Sequence, residues 1–196
     1  MRFIRKLRKS ALVLILLALL GFLFGLYSRR EGRASLIDEV RFIALAFLPQ
    51  KNLTMQEGQK WYSENKNALM ELHKVVLQNP KILRVEPALS IRYIPNSEIF
   101  TPEDMTIYNE LKQKCVSLGI KHIAIEREGG DSKGSLFLVR YTLSSSGLSV
   151  SGGRLLSVSF VPDKLAVSRI YDTPEYVVTP LDEENWYLVD YRDGRK

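Results

Sequence analysis

One cysteine, two histidines and no charge at all between residues 11 and 27 set the first limits on this chain of 196 residues. Cys115 stands alone, so no intramolecular disulfide forms and the fold holds by packing. His73 and His122 fall in separate segments, and the chain contains no HxH, HExxH or CxxC spacing. Zinc wants three or four close ligands with short-spaced pairs, so no metal and no cofactor is expected. There is no GxSxG elbow of the kind that presents a hydrolase serine. No internal repeat and no low-complexity block is present.

Positive charge is missing where nucleic-acid binding would need it. The calculated pI is 9.4. Residues 1–33 carry eight Lys/Arg and one acid, whereas residues 34–196 carry 20 Lys/Arg and 21 Asp/Glu. The basic excess is therefore a membrane-topology signal rather than a phosphate-binding face, and no nucleic-acid partner is expected.

The uncharged stretch is Ala11–Tyr27, ALVLILLALLGFLFGLY, behind the basic leader MRFIRKLRKS. As a helix, seventeen residues rise about 26 Å, close to the lower limit for a bilayer core of about 30 Å. Ser10 and Ser28 extend it, and Lys9 and Arg29 reach the interface with their charges. A signal peptidase wants a small-x-small site just past the apolar run. The nearest candidate, Gly32-Arg33-Ala34, is distant and flanked by charge. The span is thus expected to stay as a signal-anchor over 11–28, with the lipid bilayer as its first partner. Arg2, Arg5, Lys6, Arg8 and Lys9 precede it; Arg29, Arg30 and Arg33 follow. The positive-inside rule puts the leader, 1–10, in the cytoplasm and the rest outside. The short anchor and plain leader fit the inner membrane of a bacterium, with a periplasmic domain. Ala18, Gly21, Gly25 and Ser28 line one helical face and include a GxxxG match, so self-association through the span is expected there.

Beyond the span, residues 29–53 read as a juxtamembrane segment, where a capping Ser35 with Asp38 and the spacing to Phe47 favour a helix, although Phe42–Leu48 also reads as a strand. Residues 54–196 read as one exported α+β domain. Thr54-Met-Gln-Glu57 is a capping box, and a helix runs from it to Asn79, where Pro80 stops it. Trp61, Ala68, Leu69, Leu72, Val75 and Val76 form its apolar stripe. Residues 88–94 read as a strand. Thr101-Pro102-Glu103-Asp104 begins another helix, with Tyr108, Leu111, Cys115 and Leu118 on one face and Gly119 as its stop. Residues 120–126 and 135–143 read as a hairpin, as do 148–150 with 155–161. Residues 167–171 continue the sheet in this reading, and 186–191 form the last strand. The fold class is α+β: a transmembrane helix, then two or three helices on a four- to five-stranded, mainly antiparallel sheet.

Chemistry has few places to reside. Gly129–Ser135 looks like a phosphate loop, but Lys133 precedes Gly134 and a strand follows, so it is hairpin-loop material. Ser149 or Ser151 with His122 and Asp131 makes a triad only on paper. Cys115 faces the expected core. Asp182, Glu183 and Glu184 beside Trp186 form an acidic-aromatic patch suited to a basic partner or a sugar. The sequence thus points to an anchored domain that binds a protein or envelope component, as an accessory subunit or an inhibitor. The alternative is a tethered periplasmic hydrolase whose site is not written as a motif.

Overall fold

The structure, a computed structural model, describes residues 52–87, 94, 97–130, 134–146 and 153–192. The expected span, nearly all of the juxtamembrane segment, and most of the expected strand over 88–94 lie outside the described residues, as do Asp131, Ser149 and Ser151. Residues 48–196 form one compact unit. Among the described residues no helix is long and apolar enough to cross a membrane.

Helix α1 spans Met55–Gln78. Thr54 starts it as expected: its Oγ1 accepts from the Glu57 N–H at 3.2 Å, and Glu57 Oε2 accepts from the Thr54 N–H at 2.8 Å. Such reciprocal capping contributes about 1 kcal/mol. At the far end Asn79 Nδ2 donates to the Val75 carbonyl at 2.7 Å. Pro80 offers no N–H to continue the ladder. The buried stripe is Tyr62, Leu69, Leu72, His73 and Val76. Ala68 is exposed, and Trp61 and Val75 lie at the border. The stripe therefore runs one residue round the helix from the expected one.

Helix α2 spans Pro102–Leu118 and buries Tyr108, Leu111 and Cys115. Gly119 ends it at φ 70°, a left-handed conformation that glycine adopts without a Cβ penalty. The Ile120 N–H returns to the Cys115 carbonyl at 2.9 Å and the Gly119 N–H to Val116 at 3.2 Å, which satisfies two terminal carbonyls. Trp61 Nε1, near the start of α1, donates to the Leu118 carbonyl at 2.9 Å. Lys81, just past the end of α1, pairs with Asp104 in the first turn of α2 at 2.8 Å. The two helices therefore run antiparallel.

The described strands are β1 Arg84–Val85, β2 His122–Arg127, β3 Leu136–Ser146, β4 Arg154–Phe160, β5 Tyr176–Pro180 and β6 Trp186–Arg192. They form one antiparallel sheet in the order β1-β2-β3-β4-β6-β5. The α+β class and the antiparallel sheet are as expected, and β2–β3 is the expected hairpin. Three details differ. The sheet has six described strands rather than four or five. β4 pairs with β3, Ser146 opposite Arg154, and the expected strand over 148–150 lies outside the described residues. Residues 166–170 form a short helix, α3, rather than a strand. Asp163 Oδ1 accepts from the Leu165 N–H at 2.9 Å, which turns the chain at its start. Ala166, Val167 and Ile170 then share a helical face.

Both faces of the sheet are covered. Helices α1 and α2 lie on one face over Ile123, Tyr141, Leu156, Val158 and Leu188. Gly58 permits the close approach of α1. A Cβ there would lie 2.8 Å from Leu156 Cδ2 and 3.1 Å from Leu188 Cδ1. The other face carries a smaller core of Leu138, Val161, Ala166, Tyr171 and Val189 beneath α3. Leu138 belongs to this second core and Val139 to the first, so β3 is buried there on successive residues.

The sheet edges are blunt. β1 has two residues. On β5, bonds from Arg192 N to Glu175 O and from Leu181 N to Trp186 O fix which residues face inward. Tyr176, Val178 and Pro180 therefore turn their backbones outward. The Tyr176 N–H is taken by the Thr173 carbonyl at 3.1 Å, and Pro180 has no N–H. Such an edge disfavours strand addition by another chain.

Candidate functional site

Residues 181–185 link β5 to β6 and carry the acidic patch. Lys66, one face of α1 above them, reaches Asp182 at 2.8 Å and Glu183 at 2.6 Å. Glu184 pairs with Lys164 at 2.8 Å. The hydrogen bond from Lys66 leads the lowering of the Asp182 carboxyl, and the bond to Lys164 that of Glu184. Both bonds to the acids raise Lys66 in return. Tyr62 stands one helical turn before Lys66. Its hydroxyl is buried beside Asp182 without meeting hydrogen-bond geometry, and burial, then the Asp182 charge, raises it. The three acids are thus gathered and partly neutralised by two lysines. Trp186 does not join them at the surface: it is 4% exposed and belongs to the core.

Beneath the turn lies an aromatic cage that the sequence hides. Trp186 stacks on Tyr141 at 5.8 Å between ring centres. His73 stands 4.5 Å from Phe160 and 4.9 Å from Trp186. From its position beside the Leu69–Leu72–Val76 stripe His73 reads as a border residue of α1; it is buried instead, at 7% exposure. Its Nδ1 lies 2.8 Å from the Tyr141 hydroxyl, and its Nε2 has no polar partner. Donor accounting favours one tautomer: the Tyr141 O–H donates to Nδ1, which leaves a single ring N–H without a partner. Burial lowers the imidazole to about 4, so it is neutral near pH 7. A neutral, enclosed imidazole of this kind anchors a core; it does not reach a substrate.

The remaining reactive groups are also occupied. Cys115 is fully buried, and burial, followed by Glu86, pushes its thiol up to about 12. It is a poor nucleophile at neutral pH. His122 is half-buried, with Nε2 3.0 Å from Thr142 Oγ1 across the β2–β3 pair. Burial lowers it. Among the described residues no three His, Cys, Asp or Glu side chains come together as metal ligands. The Gly129–Gly134 loop closes as a hairpin, with Glu128 N donating to Ser135 O at 3.0 Å and Arg127 to Gly134 O at 3.1 Å.

A second charged cluster lies at the opposite end of the sheet. Asp190, in β6, is 0% exposed. Arg154 grips it with two bonds of 2.8 Å, one to each carboxylate oxygen. Arg192 adds bonds of 3.0 and 2.8 Å to Oδ2. Burial alone would raise the Asp190 carboxyl, but the bonds from both arginines outweigh it and the net shift is downward. Arg154 and Arg192 face each other across β4 and β6, and Asp190 shares their face of the sheet. The sequence carried a signal for this clasp: an acid inside the apolar run Trp186–Tyr191, with an arginine two residues on.

One more contact locates the clasp. The Leu53 N–H, immediately before α1, donates to Ser144 Oγ at 3.2 Å. Ser144 pairs with Leu156, and Leu156 pairs with Asp190. The chain therefore enters the domain at the clasp end, while the acidic turn lies at the other end of the strands. Comparison of the chain with protein-family models, with characterised proteins and with solved structures gives no match.

Proposed function

We propose that this protein is a single-pass, membrane-anchored protein whose exported domain binds a protein or envelope component. The observation that carries the reading is the uncharged run over 11–27 with the whole basic excess of the chain at its flanks. Such a run gives an address and a direction. The domain supports a binding role in three ways. Its cysteine and one histidine are sealed in the core. Its sheet edges are blunt, so partners meet side chains rather than backbone. Its acidic turn, Asp182–Glu184, is held on a rigid frame by Lys66 and Lys164. The span itself offers Ala18, Gly21, Gly25 and Ser28 as a helix–helix contact.

The test is cross-linking in intact membranes followed by purification of the full chain from detergent. The expected result is a stoichiometric protein partner, reduced when Asp182, Glu183 and Glu184 are replaced together by Asn and Gln. Recovery of the chain alone, before and after cross-linking, contradicts the reading.

A further inference from the structure

We infer that the sheet face turned away from α1 and α2 carries a carbohydrate-binding site, built on either side of Ala124 and suited to the paired hydroxyls of a neutral disaccharide. The inference stands apart from the anchor and from the acidic turn. It starts from register. Arg84 on β1, Ala124 on β2, Arg140 on β3 and Ser159 on β4 are successive partners across the strands. Val85 and Ile123 pair on the face that α1 and α2 cover, so this row lies on the other face. Among the described residues α3 is the helix on that face, and it lies over Leu138 and Val189. Ala124 is half-buried and offers only a methyl group. It forms the floor of a dip between two arginines whose backbones stand two strand spacings, roughly 10 Å, apart.

Each arginine has a carboxylate beside it. Arg84 Nε bonds Oε1 of Glu86 at 2.8 Å, and Nη2 goes to the same oxygen, which leaves Oε2 as an acceptor. Arg140 Nη2 lies 3.5 Å from Glu126 Oε1, a long contact that leaves this guanidinium donors to spare although its side chain is only 24% exposed. The hydroxyls of Ser159 and Tyr171 stand beside Arg140. Ser159 is 0% and Tyr171 8% exposed, and neither hydroxyl meets hydrogen-bond geometry. Stranded buried hydroxyls are uncommon in folded proteins, because each has given up its bonds to water. His122, on the same face beside Ala124, feels Glu86, Arg84 and Arg140 after its own burial, which gathers the three around one spot.

Charge decides the ligand class. Arg84 and Arg140 are balanced by Glu86 and Glu126. Arg127 is tied to the Gly134 carbonyl, and Arg169 pairs with Asp163. Lys121 alternates to the other face, and Asp172, next to Tyr171, is exposed. An oxyanion entering here meets two carboxylates for two guanidinium groups, so the net attraction is small. A vicinal diol fits better. One hydroxyl accepts from a guanidinium N–H, and its neighbour donates to the adjacent carboxylate. The two arginine–carboxylate pairs lie too far apart for one sugar ring. Two linked rings reach both, with Ser159 and Tyr171 as inner contacts at the Arg140 end.

The experiment uses the full chain in a detergent without a sugar headgroup. Saturation-transfer NMR and calorimetric titration are run with cellobiose, maltose and diacetylchitobiose, and with inorganic phosphate. At least one disaccharide should bind, about tenfold more tightly than its monosaccharide. Ala124→Leu fills the dip and should abolish binding. Ser159→Ala should weaken binding several-fold while the unliganded melting temperature holds or rises, because a stranded hydroxyl is removed; a merely structural serine would not behave so. Glu126→Gln separates the ligand classes, since it should weaken a disaccharide and strengthen phosphate. No binding of any of the disaccharides, or binding untouched by Ala124→Leu and Ser159→Ala, overturns the proposal. Phosphate binding without disaccharide binding also overturns it, and shows an oxyanion site instead.

Discussion

Replacing Arg154 and Arg192 together by Met should destabilise the domain by about 3–5 kcal/mol at neutral pH and reverse the sign of the Asp190 contribution to its acid response. The magnitude is that of a buried charge left without its partner. Asp190 is fully buried, and both of its oxygens are bonded only through these arginines among the hydrogen bonds described above. In the native chain its folded pKa lies below the ordinary 3.8. The stability it supplies is present above that value and is lost as pH falls through the lower folded value. Without the arginines, burial alone acts and raises the carboxyl. The contribution of Asp190 is then fullest below about pH 4 and is lost as pH rises through the raised folded value. Adding Asp190→Leu to the double variant removes the stranded charge and should recover most of the loss. Urea unfolding of the full chain in detergent checks this, because both tryptophans, Trp61 and Trp186, lie in the domain. Equal stability of the double and triple variants would show that lost packing, rather than the charge, is the cost.

Lowering the pH from 7 to 4 should cost the native domain about 3 kcal/mol through His73 alone. The imidazole titrates near 4 in the fold against an ordinary 6.5, and each unit of difference corresponds to about 1.4 kcal/mol. Between those two values the unfolded chain takes up a proton that the folded chain refuses, so acid favours unfolding. The variant His73→Phe/Tyr141→Phe removes both the titrating ring and its hydroxyl partner, and neither is left stranded. It should keep most of its stability at neutral pH and lose most of the slope between pH 6.5 and 4. His122, also lowered by burial, accounts for what slope is left. The carboxylates with lowered values, Asp104, Asp182, Asp190 and Glu184, begin to act only below about pH 5. A native profile flat from pH 7 to 4.5 would exclude a buried neutral imidazole.

The parts of the fold legible in the sequence were those governed by local rules. Thr54–Glu57 and Thr101–Asp104 are reciprocal caps that need only neighbouring residues, and Gly119 is a stop for the same reason. The 122–127 and 136–146 pair was visible from two apolar runs about a glycine-rich loop. What escaped depends on distant partners. Residues 166–170 read as a strand because five residues show no reliable period, and the core beneath α3 decides between the two. His73 reads as a border residue until Tyr141 arrives from 68 positions away to satisfy it. Trp186 seemed fit for a surface patch because aromatics serve both purposes; the α1 stripe draws it inward. Asp190 is an acid inside an apolar run, and only the register Arg154 opposite Arg192 shows why a charge is tolerated there. The acidic turn was legible as a cluster, but not the lysines that hold it.

Where the domain sits decides what it can bind, and one measurement addresses that directly. Membranes from cells making the full chain are washed with alkaline carbonate, and intact spheroplasts are treated with protease. The chain should remain in the carbonate pellet, and the domain should be digested by protease supplied from outside, leaving a short membrane-protected fragment with the leader. Release of the chain into the carbonate supernatant, or a domain resistant until the cytoplasmic side is opened, would contradict the account.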